Sequence, residues 1–261
     1  MKRVSHLVPV ALLATSSMLV ACSSGESSKD EPSFESASDA LGQVPSTGLS
    51  REALKAEVTR IAAENTTKIE PDNLVATRDR INPFVADLAR IYGTPTVNEE
   101  LASGLADTWR QIWSDDVRPA PAGAPKQDPE GIYQVVTERG YFYNFSNQLV
   151  PTPPGAPKVV VSAFLRGVYA IASNETSLDL EFTRFGILSA PLPAERTLGA
   201  LVDRIERGEI GATTGAGGPP SGPVGVRGKI RNLYLDRDLR IGLGGTAEQQ
   251  FNKLYVLARV K

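Results

Sequence analysis

The residues best suited to chemistry are scarce in this chain and lie at its start. The 261 residues include one cysteine, Cys22, and one histidine, His6. Cys22 directly follows a mostly small or apolar run at residues 7–21, and that run follows Lys2 and Arg3. A charged start before a short apolar run is typical of an export signal, and the run is too short and too weakly apolar to span a bilayer.

Residues 19–22, Leu-Val-Ala-Cys, resemble the lipobox of bacterial lipoproteins. The resemblance implies that Cys22 becomes the mature N-terminus and carries acyl chains, including palmitate, on its sulfur and its amine. Each buried methylene contributes roughly 0.8 kcal/mol, so two or three chains would hold the protein on a membrane. Ser23 is typical of lipoproteins that move on to the outer membrane. We therefore expect an outer-membrane lipoprotein that faces the periplasm or the surface; the alternative is an ordinary signal peptide with an incidental cysteine.

Cleavage before Cys22 would remove His6 with the rest of residues 1–21 and leave 240 residues without histidine. The single thiol would be acylated, so disulfides, thiolate nucleophiles and His/Cys zinc sites are excluded. Histidine-based acid–base and triad chemistry is excluded as well. Loss of Lys2 and Arg3 leaves 26 basic against 30 acidic residues, a net charge of −4. Such a net negative charge does not attract nucleic acid. We also expect no cofactor and no metal.

The stretch that follows the cysteine is polar. Residues 23–48 are rich in serine and contain five acidic side chains but few large apolar ones. Such a composition buries too little surface to offset the entropy of ordering, so residues 22–48 are expected to be a disordered tether. The remaining residues, 49–261, have the size of one domain.

The domain is predicted to be helical over residues 49–95 and β-structured over 105–261. Ser50 is a favourable N-cap for a helix whose apolar residues recur at helical spacing, and a similar pattern continues after Pro71. Asn82 followed by Pro83 indicates that another helix begins there. These helices have narrow apolar faces, which favours packing on the domain over lying on a membrane.

After residue 105 the hydrophobic period changes from 3.6 towards 2, and Pro or Gly clusters separate the runs. Alternation is clearest where Leu178, Leu180 and Phe182 alternate with polar residues. The dipeptides Arg139-Gly140 and Asp236-Arg237 indicate short hairpin turns. Eight strands are predicted, at residues 108–113, 132–137, 141–150, 159–172, 178–187, 229–235, 239–243 and 254–260. Consecutive strands with short turns favour a closed up-and-down barrel or a sandwich, and eight strands enclose room for one small ligand.

The C-terminal residues resemble the plastid lipid-associated protein, or fibrillin, family. Residues 234–241, Tyr-Leu-Asp-Arg-Asp-Leu-Arg-Ile, are followed by a glycine turn at 242–245 and by Leu-Tyr-Val-Leu-Ala-Arg at 254–259. Trp109 and Trp113 match the family's first strand, although Asp107 stands where the family has glycine. The resemblance extends over residues 49–259. Residues 191–228, which include a predicted helix around Leu198, Leu201, Val202 and Ile205 and then a Gly/Pro-rich loop, have no clear counterpart.

The resemblance implies a lipocalin-like barrel that binds lipids or other apolar molecules in storage, transport or membrane protection. In such barrels the tryptophan of the first strand packs under an arginine of the last, so Trp109 and Arg259 are expected to stack. Asp236 is expected to bond backbone amides at its turn, with Arg240 as its ionic partner. These four residues are interpreted as structural.

The residues predicted to line a ligand cavity are aromatic or aliphatic. They fall into three groups, within each of which the side chains share a strand face: residues 141, 143 and 145, residues 165 and 169, and residues 178, 180 and 182. Trp113 could face either way. In a small barrel such inward side chains either fill the core or surround a ligand. The candidates are Trp113, Tyr141, Tyr143, Phe145, Leu165, Tyr169, Leu178, Leu180 and Phe182.

Three classes of function remain. The first is a membrane-anchored protein that binds lipid or another apolar small molecule. The second is a scaffold or envelope-assembly lipoprotein whose barrel is packed solid, and the third is an enzyme that uses carboxylates alone. The Gly-rich stretch at residues 213–228 lacks the Gly-Lys-Ser/Thr ending of a P-loop, and no acidic pair lies in a catalytic motif, so we expect no enzyme. The sequence predicts the first class.

Overall fold

The computed structural model describes residues 41–92, 98–116, 123–153, 155–171, 177–210, 224–246 and 252–261. Cys22, the predicted signal peptide at residues 1–21 and the predicted tether up to residue 40 lie outside the described residues. The Gly/Pro-rich loop predicted at residues 213–228 lies mostly outside them as well.

The domain is built around eight antiparallel strands. They are β1 Asp107–Ser114, β2 Lys126–Val136, β3 Tyr141–Val150, β4 Val159–Ile171, β5 Ser177–Leu188, β6 Arg227–Leu235, β7 Leu239–Thr246 and β8 Lys253–Arg259. Each strand pairs with the next along the chain, and β8 pairs with β1 to close a barrel. The predicted mainly β, eight-stranded lipocalin-like barrel is confirmed, and the sandwich alternative is wrong.

The two predicted hairpin turns join neighbouring strands. Between β2 and β3, Gly140 adopts φ of 79°, a left-handed conformation that glycine reaches without strain. Between β6 and β7, the Asp236 carboxylate accepts hydrogen bonds from the backbone N–H groups of Asp238 and Leu239, both at 2.8 Å. An acidic side chain that bonds the backbone two or three residues ahead fixes the register of both strands.

Within the described ranges, the α-helices that accompany the barrel are α1 Arg51–Asn65, α2 Pro71–Tyr92, α3 Asn98–Leu105 and α4 Leu198–Glu206. Ser50 caps α1 as predicted, its hydroxyl accepting from the N–H of Ala53 at 3.4 Å. Residues 98–105, which lie between the predicted helical range and the predicted β range, form α3. Within the described part of the chain, no helix combines the length and the apolar character needed to cross a membrane.

The prediction that a new helix begins at Asn82 and Pro83 is wrong, because α2 continues through both residues. Proline in a helix interior removes one backbone hydrogen bond, here the one to the carbonyl of Asp79. Packing compensates for this loss, since Ile81 and Val85 on either side of the proline are fully buried. They belong to one apolar face that also includes Leu74 and Leu88.

Helices α1 and α2 cover the outer face of β6, β7, β8 and the end of β1. Their buried side chains form one cluster with outward-facing residues of those strands, among them Tyr234, Ile241 and Val256. Lys55 of α1 adds an ion pair with Asp236 at 2.6 Å. On the opposite side, α4 covers the outer face of β2, β3 and β4. The predicted helix around Leu198 and Ile205 is confirmed as α4.

Residues 41–48, predicted as the end of the tether, pack on the helices. Leu41 is buried in the same cluster as α1 and α2. The Asp87 carboxylate of α2 accepts from the backbone N–H and the hydroxyl of Thr47, at 2.7 and 2.6 Å. The ordered domain therefore begins at least eight residues before the predicted boundary at residue 49.

Candidate functional site

The barrel interior contains a cavity of about 150 Å³. Its wall combines apolar, amide and glycine residues from β1, β2, β3 and the four strands β5 to β8. Among the described residues the lining consists of Gln111, Asp116, Gln127, Ile132, Tyr133, Gln134, Phe142, Asn144, Leu180, Phe182, Gly228, Ile230, Arg240, Gly242, Gly245, Thr246, Tyr255 and Leu257. The interior is therefore not packed solid.

Five of the predicted lining residues do lie in the barrel interior: Leu165, Tyr169, Leu178, Leu180 and Phe182. Leu180 and Phe182 contact the cavity directly. The other three fill the interior beside the cavity, and Tyr169 donates its hydroxyl to the carbonyl of Thr137 at 2.7 Å. The alternation on β5 thus identified the inward face correctly.

A chain of polar side chains crosses the interior at one end of the cavity. Nε of Arg240 donates to Oδ1 of Asn232 at 2.9 Å, and another guanidinium nitrogen donates to Oε1 of Gln134. Gln134 in turn donates to Oδ1 of Asn144 at 2.8 Å. These residues belong to β7, β6, β2 and β3, so the network joins opposite sides of the barrel. The predicted lining contained only aromatic and aliphatic residues, so the three amides were absent from it.

Arg240 carries a charge into the centre of the barrel, where its exposed fraction is 2%. The two acceptors named above are neutral amide oxygens, and none of the ion pairs among the described residues includes Arg240. Loss of hydration on burial lowers the pKa of its guanidinium to about 10. Arg240 therefore remains positively charged at neutral pH.

Glycines of β7 create the open space. The predicted glycine turn at residues 242–245 is wrong, because these residues lie inside β7, which continues to Thr246. Gly242 and Gly245 face the cavity without side chains. A Cβ atom on Gly242 would meet the Cγ2 of Ile230 at 3.2 Å. Glycine inside a strand marks close approach or space for a ligand, and here the glycines leave room that larger residues would fill.

The end of the cavity away from Arg240 is bordered by polar groups. The Tyr255 hydroxyl donates to the Asp116 carboxylate at 2.7 Å, and both side chains line the cavity. The hydroxyl of Thr246, also in the lining, is buried without a hydrogen-bond partner. An unpaired buried hydroxyl costs free energy until a partner is supplied.

The assignment of Tyr141, Tyr143 and Phe145 to the ligand lining is wrong. They lie on the outer face of β3, opposite Phe142 and Asn144, and pack under α4. The Tyr143 hydroxyl donates to the Glu206 carboxylate of α4 at 2.5 Å. Aromatic residues occur on both faces of β3, so alternation alone did not show which face points inward.

Trp113 also faces outward. A β-bulge between Gln111 and Trp113 shifts the alternation of β1, so Trp113 joins Ile112 under the helices. Trp113 instead borders a second hollow, a cleft of about 710 Å³ between the start of α2 and the barrel. Three residues, Gln111, Gln127 and Ile132, line both the cleft and the inner cavity, so the two hollows adjoin.

The predicted stacking of Trp109 and Arg259 is confirmed. The guanidinium carbon of Arg259 lies 4.6 Å from the centre of the Trp109 ring. Asp107 and the carbonyl of Gly104 accept hydrogen bonds from Arg259, and the Trp109 Nε1 donates to the carbonyl of Leu105 at 2.8 Å. Asp107 thus orients the arginine that covers the tryptophan.

The expected pairing of Asp236 with Arg240 is wrong, because the two side chains lie on opposite faces of the sheet. Asp236 points outward, bonding Lys55 and the Tyr234 hydroxyl as well as its own turn. Arg240 points inward. The four-residue spacing crosses a hairpin, which reverses the chain and separates the two charges.

Comparison with protein-family models, with curated proteins and with solved structures finds no match to this chain. The described residues contain no group of three or more His, Cys, Asp or Glu side chains that would hold a metal ion. The closed barrel and its cavity are compatible with binding of a lipid-like molecule.

Proposed function

We propose that this protein binds lipid or another apolar small molecule inside the barrel and holds it without chemical change. The observation that carries the proposal is the cavity within a closed barrel, walled partly by Phe142, Leu180, Phe182 and Ile230. A packed interior would leave no such space, since protein cores have few voids larger than a water molecule. The proposal follows the fold that the fibrillin resemblance implies.

The size of the hollow limits the ligand. A cavity of about 150 Å³ is large enough for a molecule the size of benzene. The adjoining cleft of about 710 Å³ falls in the range of small-molecule sites, and Ile69 and Val75 at its rim are exposed apolar residues. A slender ligand therefore fits best, with one end in the barrel and its remaining length towards the cleft.

A cavity-filling variant tests the proposal. The parent chain for this test is the mature-length protein, residues 22–261, with Cys22→Ser. In this parent chain, Gly242→Val would project methyl groups from the cavity wall beside Ile230. We expect loss of about ten-fold or more in affinity for a neutral apolar fluorophore such as 1-aminoanthracene, since displaced contacts are each worth a large share of the binding of a small ligand. Fluorescence titration measures it.

Gly199→Val is the matched control, because a Cβ atom on Gly199 of α4 meets nothing within 4 Å. The control is expected to bind the fluorophore like the parent chain. Two results would contradict binding inside the barrel. The first is no binding of the fluorophore to the parent chain or to Gly199→Val, and the second is equally tight binding to Gly242→Val and to the parent chain.

We further propose that acylated Cys22 anchors the protein to a bacterial membrane, with the outer membrane as its destination. The lipobox pattern at residues 19–22 supports this, together with the serine-rich, acidic composition of the residues that follow the cysteine. Metabolic labelling with a palmitate analogue should label the parent chain and not Cys22→Ser. Cell fractionation should then find the variant outside the membrane fraction, and an unlabelled parent chain would refute the anchor.

A further inference from the structure

Arg240 differs from other buried or half-buried arginines of the domain in its surroundings. Arg259 pairs with Asp107, Arg78 with Asp115, and Arg166 with Glu206. Arg240 is more deeply buried than these, at 2% exposure, yet its acceptors are neutral amide oxygens.

A buried charge without an opposite charge is costly. Neutral amide dipoles replace only part of the hydration that the guanidinium loses, and a charged partner within hydrogen-bond distance replaces more of it. Burial lowers the pKa of Arg240 to about 10, which leaves the guanidinium protonated at neutral pH. The barrel therefore holds a positive charge that faces a cavity rather than a carboxylate of the described chain.

We infer that the cavity takes the carboxylate end of a slender apolar molecule, with the carboxylate against Arg240 and the body directed along β7 towards Thr246. This inference rests on the proposed function and adds the chemical class of the ligand. Arg240 and Thr246 both line the cavity and are six residues apart in β7, which separates their Cα atoms by about 20 Å along the strand at ~3.4 Å per residue.

The charges of the lining favour a single negative charge on the ligand. Arg240 is the only basic residue among the described residues that line the cavity, and Asp116 is the only acidic one. Asp116 borders the far end, where its carboxylate accepts from Tyr255. A carboxylate neutralises one guanidinium, whereas a phosphate monoester brings nearly two charges at neutral pH and would need a second cation.

Matched eight-carbon ligands test the inference in the mature-length chain with Cys22→Ser. Calorimetry at neutral pH compares octanoate, octan-1-ol and octyl phosphate. We expect octanoate to bind about ten- to hundred-fold more tightly than octan-1-ol, because a hydrogen bond to a charged group is stronger than a neutral one. Octyl phosphate is expected to bind more weakly than octanoate.

Substitution then identifies the cation. Arg240→Met is expected to reduce octanoate affinity by about ten-fold or more and to change octan-1-ol affinity by less than about three-fold. Arg227→Met is the matched control, since Arg227 lies on the outer face of β6, paired with Glu181, with 81% of its side chain exposed. It should bind both ligands like the parent chain, and circular dichroism verifies that each variant is folded.

The outcomes separate the two proposals. Equal affinity of the parent chain for octanoate and octan-1-ol overturns the carboxylate inference and leaves apolar binding intact, even when Arg240→Met does not fold. Tighter binding of octyl phosphate overturns the choice of carboxylate. If the parent chain binds none of the three eight-carbon ligands and also does not bind the neutral fluorophore, the proposed function itself is overturned.

Discussion

A stacked pair of side chains joins β1 to β8 where β1 begins. Trp109 is fully buried, and Arg259 covers its ring while bonding Asp107 and the carbonyl of Gly104. A cation over a desolvated indole ring contributes of order 1–2 kcal/mol beyond the burial of the ring itself. This pair also connects the first strand to the last, so it stabilises closure of the sheet.

Trp109→Ala is therefore expected to lower the free energy of unfolding by about 3–5 kcal/mol, because it leaves a large void and removes the stacking partner of Arg259. Trp109→Phe retains much of the volume and should cost less, about 1–3 kcal/mol. Urea unfolding followed by circular dichroism measures both. A loss below about 1 kcal/mol for the alanine variant would show that the pair does not hold the barrel closed.

The Asp87 carboxylate of α2 holds residues 41–48 on the helices through hydrogen bonds from Thr47. Hydrogen bonds from the Thr47 hydroxyl and backbone, with Arg90 nearby, hold the pKa of the Asp87 carboxyl below its usual 3.8. A carboxylate whose pKa is lowered by folding stabilises the fold above the unfolded pKa, and this contribution is lost as the pH falls through the folded value.

Asp87→Asn is thus expected to lose about 1–2 kcal/mol at neutral pH. The difference from the parent chain should shrink as the pH falls below 3.8, where the parent carboxyl also becomes protonated. Urea unfolding across this pH range measures it, with Asp203→Asn on the exposed face of α4 as the control. A difference that is constant with pH would contradict the role of the charge.

Helix α4 serves as a cover for an aromatic surface. Tyr133, Tyr141, Tyr143, Phe145 and Phe164 on the outside of the barrel would form a large exposed apolar patch without it. Ile205 and Leu198 of α4 are fully buried on that surface, and Glu206 bonds both Tyr143 and Arg166. The helix therefore contributes packing and two polar contacts to the barrel wall.

Ile205→Ala tests this role of α4. We expect it to lower the free energy of unfolding by about 2–4 kcal/mol and to increase binding of an external hydrophobic dye, because the cover loosens over the aromatic residues. Arg204→Ala on the same helix, with more than half of its side chain exposed, is the control and should change stability little. Unchanged stability of Ile205→Ala would mean that the barrel does not depend on this helix.

Most strands could be predicted because Pro and Gly clusters separate segments of β-branched and aromatic residues, and the tight turns at Gly140 and Asp236 carry their own signals. The faces of the strands were harder to predict. The outer face of β3 is buried by α4, which begins at Leu198, far later in the chain than β3. On β1 a bulge reverses the alternation at Trp113. Both effects depend on tertiary contacts that a local pattern does not contain.

The cavity was only partly predictable for the same reason. Leu180 and Phe182 follow from the alternation of β5, but Arg240, Gln134 and Asn232 are polar residues that ordinarily face water. A barrel that closes around them turns these polar positions inward. The glycines of β7 were the one sequence feature that indicated a cavity, because glycine within a strand leaves space that a side chain would otherwise fill.

The domain as a whole combines the Trp109–Arg259 pair, which joins β1 to β8, with an interior cavity and an adjoining cleft. Residues 41–48 lie on the helical side, where Leu41 and Val44 pack on the cluster of α1 and α2. Arg90 adds hydrogen bonds to the carbonyls of Gly42 and Val44. The segment that leads towards the proposed anchor is thus part of the folded unit.

Chains that begin at residue 41 and at residue 50 should therefore differ in stability. We expect the shorter chain to lose about 2–3 kcal/mol, since it lacks the buried Leu41 and the partners of Asp87, which corresponds to a melting temperature lower by roughly 4–12 °C in a domain of this size. Thermal unfolding followed by circular dichroism measures the difference. Because Thr47 is absent from the shorter chain, Asp87→Asn should then cost much less there than in the chain from residue 41. Equal melting temperatures, or an equal cost of Asp87→Asn in both chains, would show that residues 41–48 contribute nothing to the domain.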